Sequence, residues 1–164
     1  MFRKMRRFKQ ELSHEDCEKL LCAATSGVLA VDGDDGYPYA VPLNYYYEDG
    51  TLIFHTAQDG HKMDALARNP KASFCVIARD DIVPEKYTSY FESVIAFGHV
   101  RKIEELDEKR MWFEKLAAKY SPDQVEGRAH EVERMLNIVC LLALDIEHLS
   151  GKESIELTRN RPQA

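Results

Sequence analysis

From Gly27 to Ala57 the chain reads as three short apolar runs cut by acidic, glycine-bearing turns. "GVLAV" is closed by "DGDDG", "YPYAVPLNYYY" by "EDG", and "TLIFHTA" follows. β-branched and aromatic runs separated by Asp/Gly turns predict an antiparallel meander. Pro38 and Pro42 interrupt the middle run. A proline donates nothing to a strand ladder, so this strand is expected at an edge or bulged, with backbone near Pro42 to Asn44 left free.

Before the meander, "SHEDCEKLLCAAT" has helical spacing, with Ser13 as cap, Asp16 at the capping-box position and a Cys17, Leu20, Leu21, Ala24 stripe. After it, a short helix is predicted from about Gly60 to Arg68, stopped by Asn69 and Pro70. "KASFCVIA" predicts a fourth strand and "RDDIVPEKYTSYF" a loop. "ESVIAFGHVRKI" predicts a fifth strand with Gly98 as a bulge or close approach. Two amphipathic helices follow, over "LDEKRMWFEKLAAKY" and roughly Pro122 to Leu136. "NIVCLLALDIEHLS" is a last, heavily apolar strand. Six strands with short turns and peripheral helices predict a mainly β fold, a closed or split antiparallel barrel. The 164 residues fit one domain, with a basic N-terminal arm over 1–10 and a polar tail over 151–164.

Composition narrows the functional classes. The formal net charge of −6 argues against a nucleic-acid binder, and no apolar run is long enough to span a membrane. The arm carries Arg3, Lys4, Arg6, Arg7 and Lys9 without an apolar stretch behind it, so it is not a secretory signal and a cytoplasmic protein is expected. The arm fits either a solvated or partner-docked segment or one whose arginine reaches an anionic ligand. Cys17, Cys22, Cys75 and Cys140 form no metal-ligand spacing and read as reduced thiols, the last two in strand cores. Neither a dinucleotide fingerprint nor a P-loop is present.

The chemistry concentrates at "FHTAQDGHKMDALARNP". A helix N-terminus has unpaired N–H groups and partial positive charge, which suits an anion. Thr56 adds a hydroxyl, Gly60 allows close backbone approach, Lys62 adds a charge and His61 a further donor. These are the ingredients of a phosphate cradle. The same residues also fit a solvated first-turn lysine, with Asp59 capping the helix and Asp64 offsetting the charge. His55 fits a structural role equally well, and the tyrosines 45–47 fit strand packing.

The stretch "YAVPLNYYYEDGTLIFHTAQDGHKMDALARNPKASFCVI", followed by "ESVIAFGHVRKIEE", resembles the pyridoxamine 5′-phosphate oxidase-like family of FMN-binding split barrels. The likeness is greatest to the NimA-like branch, named for 5-nitroimidazole resistance proteins. It runs from about Gly27 to Glu105, and the terminal "HLSGKE" also fits. The resemblance implies a six-stranded antiparallel split barrel and a homodimer with FMN at the interface. Residues Val41, Pro42, Leu43 and Asn44 would lie along the isoalloxazine, His55 and Thr56 beside the ribityl chain and phosphate, and Lys62 on the phosphate. His61 stands where oxidases of the family carry arginine, and Ser93 where they carry a flavin-contacting glutamine. The chain lacks their C-terminal arginine- and histidine-bearing substrate motif, and Arg159 and Arg161 read as a solvated tail. Pyridoxine phosphate is therefore not the expected substrate.

The function that follows is an FMN-dependent oxidoreductase acting on a nitroaromatic or other small acceptor. His55 is the candidate proton donor, since histidine ordinarily titrates near neutral pH, and Tyr45 is a candidate lining of the acceptor pocket. The alternative is a non-catalytic dimer binding flavin or haem as carrier or sensor, with His99 and His148 on strands. FAD and haem are the lesser cofactor options. The apolar last strand and the loop from Tyr87 to Phe91 are the local hints of a partner surface.

Overall fold

The computed structural model describes residues 1–161. A helix α1 (His14–Ala23) leads into β1 (Ser26–Asp32), β2 (Pro38–Asn44), β3 (Tyr46–Glu48) and β4 (Thr51–Thr56). Helix α2 (His61–Arg68) then connects to the long hairpin of β5 (Lys71–Val83) and β6 (Thr88–Lys102). Helices α3 (Leu106–Tyr120) and α4 (Val125–Met135) precede β7 (Cys140–Glu153) and a short α5 (Ile155–Asn160). All strand pairs are antiparallel, in the order β2-β1-β5-β6-β7-β4-β3. The sheet curls without closing, so its edge strands are β2 and β3. This is the split-barrel architecture, with seven strands where the sequence pattern predicted six.

The extra strand comes from a break inside the tyrosine run. Tyr45 lies between β2 and β3, fully buried. Its phenol donates to the Leu21 carbonyl at 2.8 Å, and its ring meets Phe74 edge-on. Turning that side chain inward takes the backbone out of both ladders. The Tyr120 hydroxyl then accepts from the Tyr45 N–H at 2.9 Å and lies 2.7 Å from its carbonyl. A buried backbone group without such a partner would cost about 1–3 kcal/mol.

Strands β4 and β7 are covered on both faces, which explains the unbroken apolar run at the seventh strand. Cys140, Leu142 and Leu144 join Leu52, Phe54 and Phe74 inside the barrel. Leu141 and Ala143 join Ile53 under Phe113 and Leu116 of α3 and Val132 of α4. Strand β7 is paired with β6 and β4, and its apolar run Cys140–Leu144 is buried within the chain's own core. Gly98 marks the expected bulge: the register shifts between Phe97 and Gly98, and an added Cβ would sit 2.0 Å from the Asp145 carbonyl oxygen.

Two segments differ from the sequence expectation. The charged stretch from Arg79 to Phe91 is mostly strand, with a 3-10 turn over Pro84–Lys86 and Tyr87 in the left-handed region at φ 51°. Its polar and apolar positions do not sort by two because it leaves the core, and Ile82 and Tyr87 are exposed. The tail is likewise structured over residues 151–161. Gly151, Glu153 and Ser154 are buried, and Arg161 bonds Asp16 at 2.8 Å and Glu153 at 3.1 Å. Arg161 therefore fastens α5 to α1, whereas Arg159 remains exposed.

Candidate functional site

The site begins with the two strand edges that the open sheet leaves unpaired. At the β1–β2 turn, the Gly33 N–H donates to the Tyr37 carbonyl at 2.9 Å. Backbone groups alternate sides along a strand. The backbone of Tyr39, Val41 and Leu43 therefore faces β1, and that of Ala40, Pro42 and Asn44 faces the free edge. Neither Pro38 nor Pro42 removes a ladder bond, so the edge position predicted for this strand is what permits both. Across the split, β3 pairs with β4 only from Thr51 to Ile53, leaving Phe54 to Thr56 unpaired on that side. Strands β2 and β4 approach within 8 Å at Cα without pairing.

One end of this split is the corner of Thr56 and α2. Gly60 turns the chain at φ 112°, a conformation in the left-handed half of the map that favours glycine. It caps α2 without a side-chain acceptor, so Asp59 does not cap. The Met63 and Asp64 N–H groups both reach the Gly60 carbonyl, at 2.8 and 3.1 Å. The N–H groups ahead of them have no helical acceptor. The Lys62 ammonium donates to the Thr56 hydroxyl oxygen. Lys62 is half-buried, and among the described residues no carboxylate, Asp64 included, lies within ion-pairing distance of it. His61 belongs to the corner by its backbone only. Its ring stacks on Tyr39 at 4.1 Å and stands 3.4 Å from Asp34, which also binds Arg68 at 2.8 Å.

The other end lies on the opposite face of β4. Phe54 and Thr56 follow the barrel side, while Ile53 and His55 face α3 and α4. His55 and Asn44 open into a cavity of about 410 Å³ walled by Phe113, Leu116 and Val132. Asn44 is held by its amide donating to the Thr25 carbonyl at 2.9 Å, beside the Tyr120 hydroxyl. Burial holds the Tyr120 phenol above the usual tyrosine range. Tyr120, Gln124 and Gly127 also line this cavity. Sequence reasoning did not reach them, because only the packing of α3 and α4 over β4 brings them to His55.

The sequence-derived residues thus fall into separate groups. Thr56 and Lys62 meet, and Asn44 and His55 meet. Val41 and Leu43 pack against the barrel core, leaving Pro42 and Asn44 outward. Tyr45 cannot line an acceptor pocket, because it is buried in the core. Ser93 lies on β6 opposite Ile77 and Lys152, and does not line the cavity of Asn44 and His55. His99 stands 3.1 Å from Glu147, and His148 stacks on Phe2 at 4.5 Å. Among the described residues, no helix is long and apolar enough to cross a membrane.

An open seven-stranded split barrel with an uncapped helix at its slit defines the class, and the sequence places the chain within it. The profile of the pyridoxamine 5′-phosphate oxidase family matches residues 13–153, so the chain belongs to that family. Solved structures agree in fold. A proposed 5-nitroimidazole antibiotic resistance protein from Bacteroides thetaiotaomicron superposes with a TM-score of 0.76 at 23% identity, over 87% of this chain and 86% of that one. An FAD and haem binding protein from Mycobacterium smegmatis gives 0.73 at 24% identity, over 89% and 74%. An FAD-binding protein from Mesorhizobium loti gives 0.61 at 25% identity, over 88% and 96%. No curated protein matches the sequence.

Proposed function

We propose that the chain is an FMN-dependent oxidoreductase of the NimA-like type, a homodimer with the flavin along the split, passing electrons to a small acceptor. The observation that carries this reading is the half-buried Lys62 against Thr56 at an α2 N-terminus with no side-chain cap. A lysine beside the positive end of a helix is unfavourable unless an anion joins it, and a phosphate monoester has the charge and the acceptor oxygens to do so. The unpaired backbone at Pro42 and Asn44 would hold the edge of a flat ring. His61 would steady the corner through Tyr39, Asn44 would orient the ring end, and His55 would supply a proton from Nδ1 or Nε2 to the reacting molecule. A flavin held by Thr56, Lys62 and the Pro42–Asn44 edge would supply two-electron redox chemistry between a reduced donor and the acceptor. The flavin-binding proteins from M. smegmatis and M. loti share this fold, which supports flavin as the cofactor class.

A second reading, a carrier or sensor binding flavin or haem without turnover, draws on the M. smegmatis protein that binds both. An absorbance spectrum of the purified protein separates these, followed by FMN and FAD titrations of wild type and Lys62→Ala. The expected result is a flavin spectrum, FMN binding tighter than FAD, and affinity lower by about 10- to 100-fold in the variant, the equivalent of one or two charge-assisted hydrogen bonds. A Soret band without flavin, or equal affinity in the variant, would refute the assignment. His55→Ala is expected to lower nitroaromatic reduction while leaving FMN affinity unchanged. Unaltered turnover removes His55 as proton donor.

A further inference from the structure

The cavity between β4 and the α3–α4 pair holds a charge that no other described residue balances. Arg128, half-buried near the start of α4, lines it together with Phe113, Leu116, Ala117 and Val132. Its Nη1 donates to the Ser121 and Pro122 carbonyls at 2.7 and 3.1 Å, which ties α4 to the end of α3. That structural role uses one nitrogen of the guanidinium. The Nε and Nη2 edge donates to no group among the described residues, and no carboxylate among them lies within ion-pairing distance of it.

The sequence of α4 leaves this charge alone. On a helix the partners within reach stand three and four residues away. For Arg128 these are Gln124, Val125, Glu131 and Val132, so one carboxylate is available. Both oxygens of Glu131 are taken by the Arg134 guanidinium, at 2.9 and 2.5 Å. Glu131 and Arg134 offset each other, and Arg128 remains a single positive charge beside apolar walls. A charge partly withdrawn from water gains most from a partner of opposite sign. The unused edge offers two parallel N–H groups, the geometry that a carboxylate accepts at two points. A phosphate dianion would find only half of its charge answered there.

We infer that this cavity binds a small organic carboxylate with an apolar body, its carboxylate on the Nε and Nη2 edge of Arg128 and its body against Phe113, Leu116 and Val132. The volume of about 410 Å³ falls within the range of small-molecule pockets. The inference goes beyond the flavoprotein reading, because it stands on side chains of α3 and α4 whether or not a flavin is bound. The test is calorimetric titration of the full chain with 2-naphthoate and with its neutral counterpart 2-naphthamide, with FMN titrated in parallel. Wild type is compared with Arg128→Gln, which removes charge and fork, with Arg128→Lys, which keeps the charge alone, and with Ala117→Phe, which fills the cavity from α3. Circular dichroism reports the folding of each.

In wild type, 2-naphthoate is expected to bind about tenfold or more tightly than 2-naphthamide, the effect of one charge-assisted pair. Arg128→Gln should abolish that preference, Arg128→Lys should keep part of it, and Ala117→Phe should remove binding of both probes. Equal affinity of the two probes for wild type, no binding of either, or a preference that survives Arg128→Gln would overturn the inference. The wild-type comparison decides even where a variant fails to fold. FMN affinity should be unchanged in the folded variants. A chain that binds 2-naphthoate and no FMN keeps this site and refutes the flavin reading alone.

Discussion

His55 and Thr56 are neighbours in the chain, yet they serve two regions of opposite character. Thr56 turns toward Lys62 and an uncapped helix end, a place built from donors. His55 turns toward α3 and α4, a place built from Phe113, Leu116 and Val132. A strand's period of two is enough to make this division. It lets one short stretch of backbone serve a cluster of donors and a mainly apolar cavity within one residue of each other.

If the two regions are independent, their perturbations separate. Lys62→Ala should weaken FMN binding by about 10- to 100-fold, while His55→Ala should leave FMN affinity unchanged and lower nitroaromatic reduction. A variant that moves both readouts together would break the comparison. Tyr120→Phe tests the wall on the His55 side. It removes the acceptor of the Tyr45 N–H and the donor toward the Tyr45 and Thr25 carbonyls, and should cost about 1–3 kcal/mol in urea unfolding. A smaller effect is expected from alkali. Burial raises the Tyr45, Tyr47 and Tyr120 phenols in the folded chain above their unfolded value of about 10. The folded state then holds more protons than the unfolded one above that pH. Stability present below about pH 10 is therefore lost as pH rises further. Tyr45→Phe should flatten that decline in a thermal-melt series from pH 8 to 11, and an unchanged slope would show that Tyr45 is not its source.

Local chemistry made much of this legible from the sequence. The Asp/Gly turns, the Asn69–Pro70 stop, the Gly98 bulge and the edge strand marked by Pro38 and Pro42 each rest on a backbone constraint that needs no distant partner. Thr56 and Lys62 were also found, being six residues apart across one turn. The break at Tyr45 was not legible, because an aromatic fits a strand pattern and only Leu21 and Tyr120, far away in the chain, take it out of one. The cavity was hidden for the same reason. Its linings from α3 and α4 read as ordinary amphipathic helices until both are laid over β4. Arg161 looked like solvent-exposed tail because its carboxylate partners are Asp16 and Glu153, the first of them at the opposite end of the chain.

The two prolines of β2 have a consequence beyond the ligand. A barrel that stays open must keep a bare strand edge whenever nothing fills the slit, and bare edges recruit strands from other molecules. Pro38 and Pro42 both aim their missing N–H at that edge, and Ala40 supplies its one donor between them. A foreign strand arriving there would find its carbonyls unanswered at Pro38 and Pro42. The prolines that the edge position tolerates thus make that rim a poor template for an added strand.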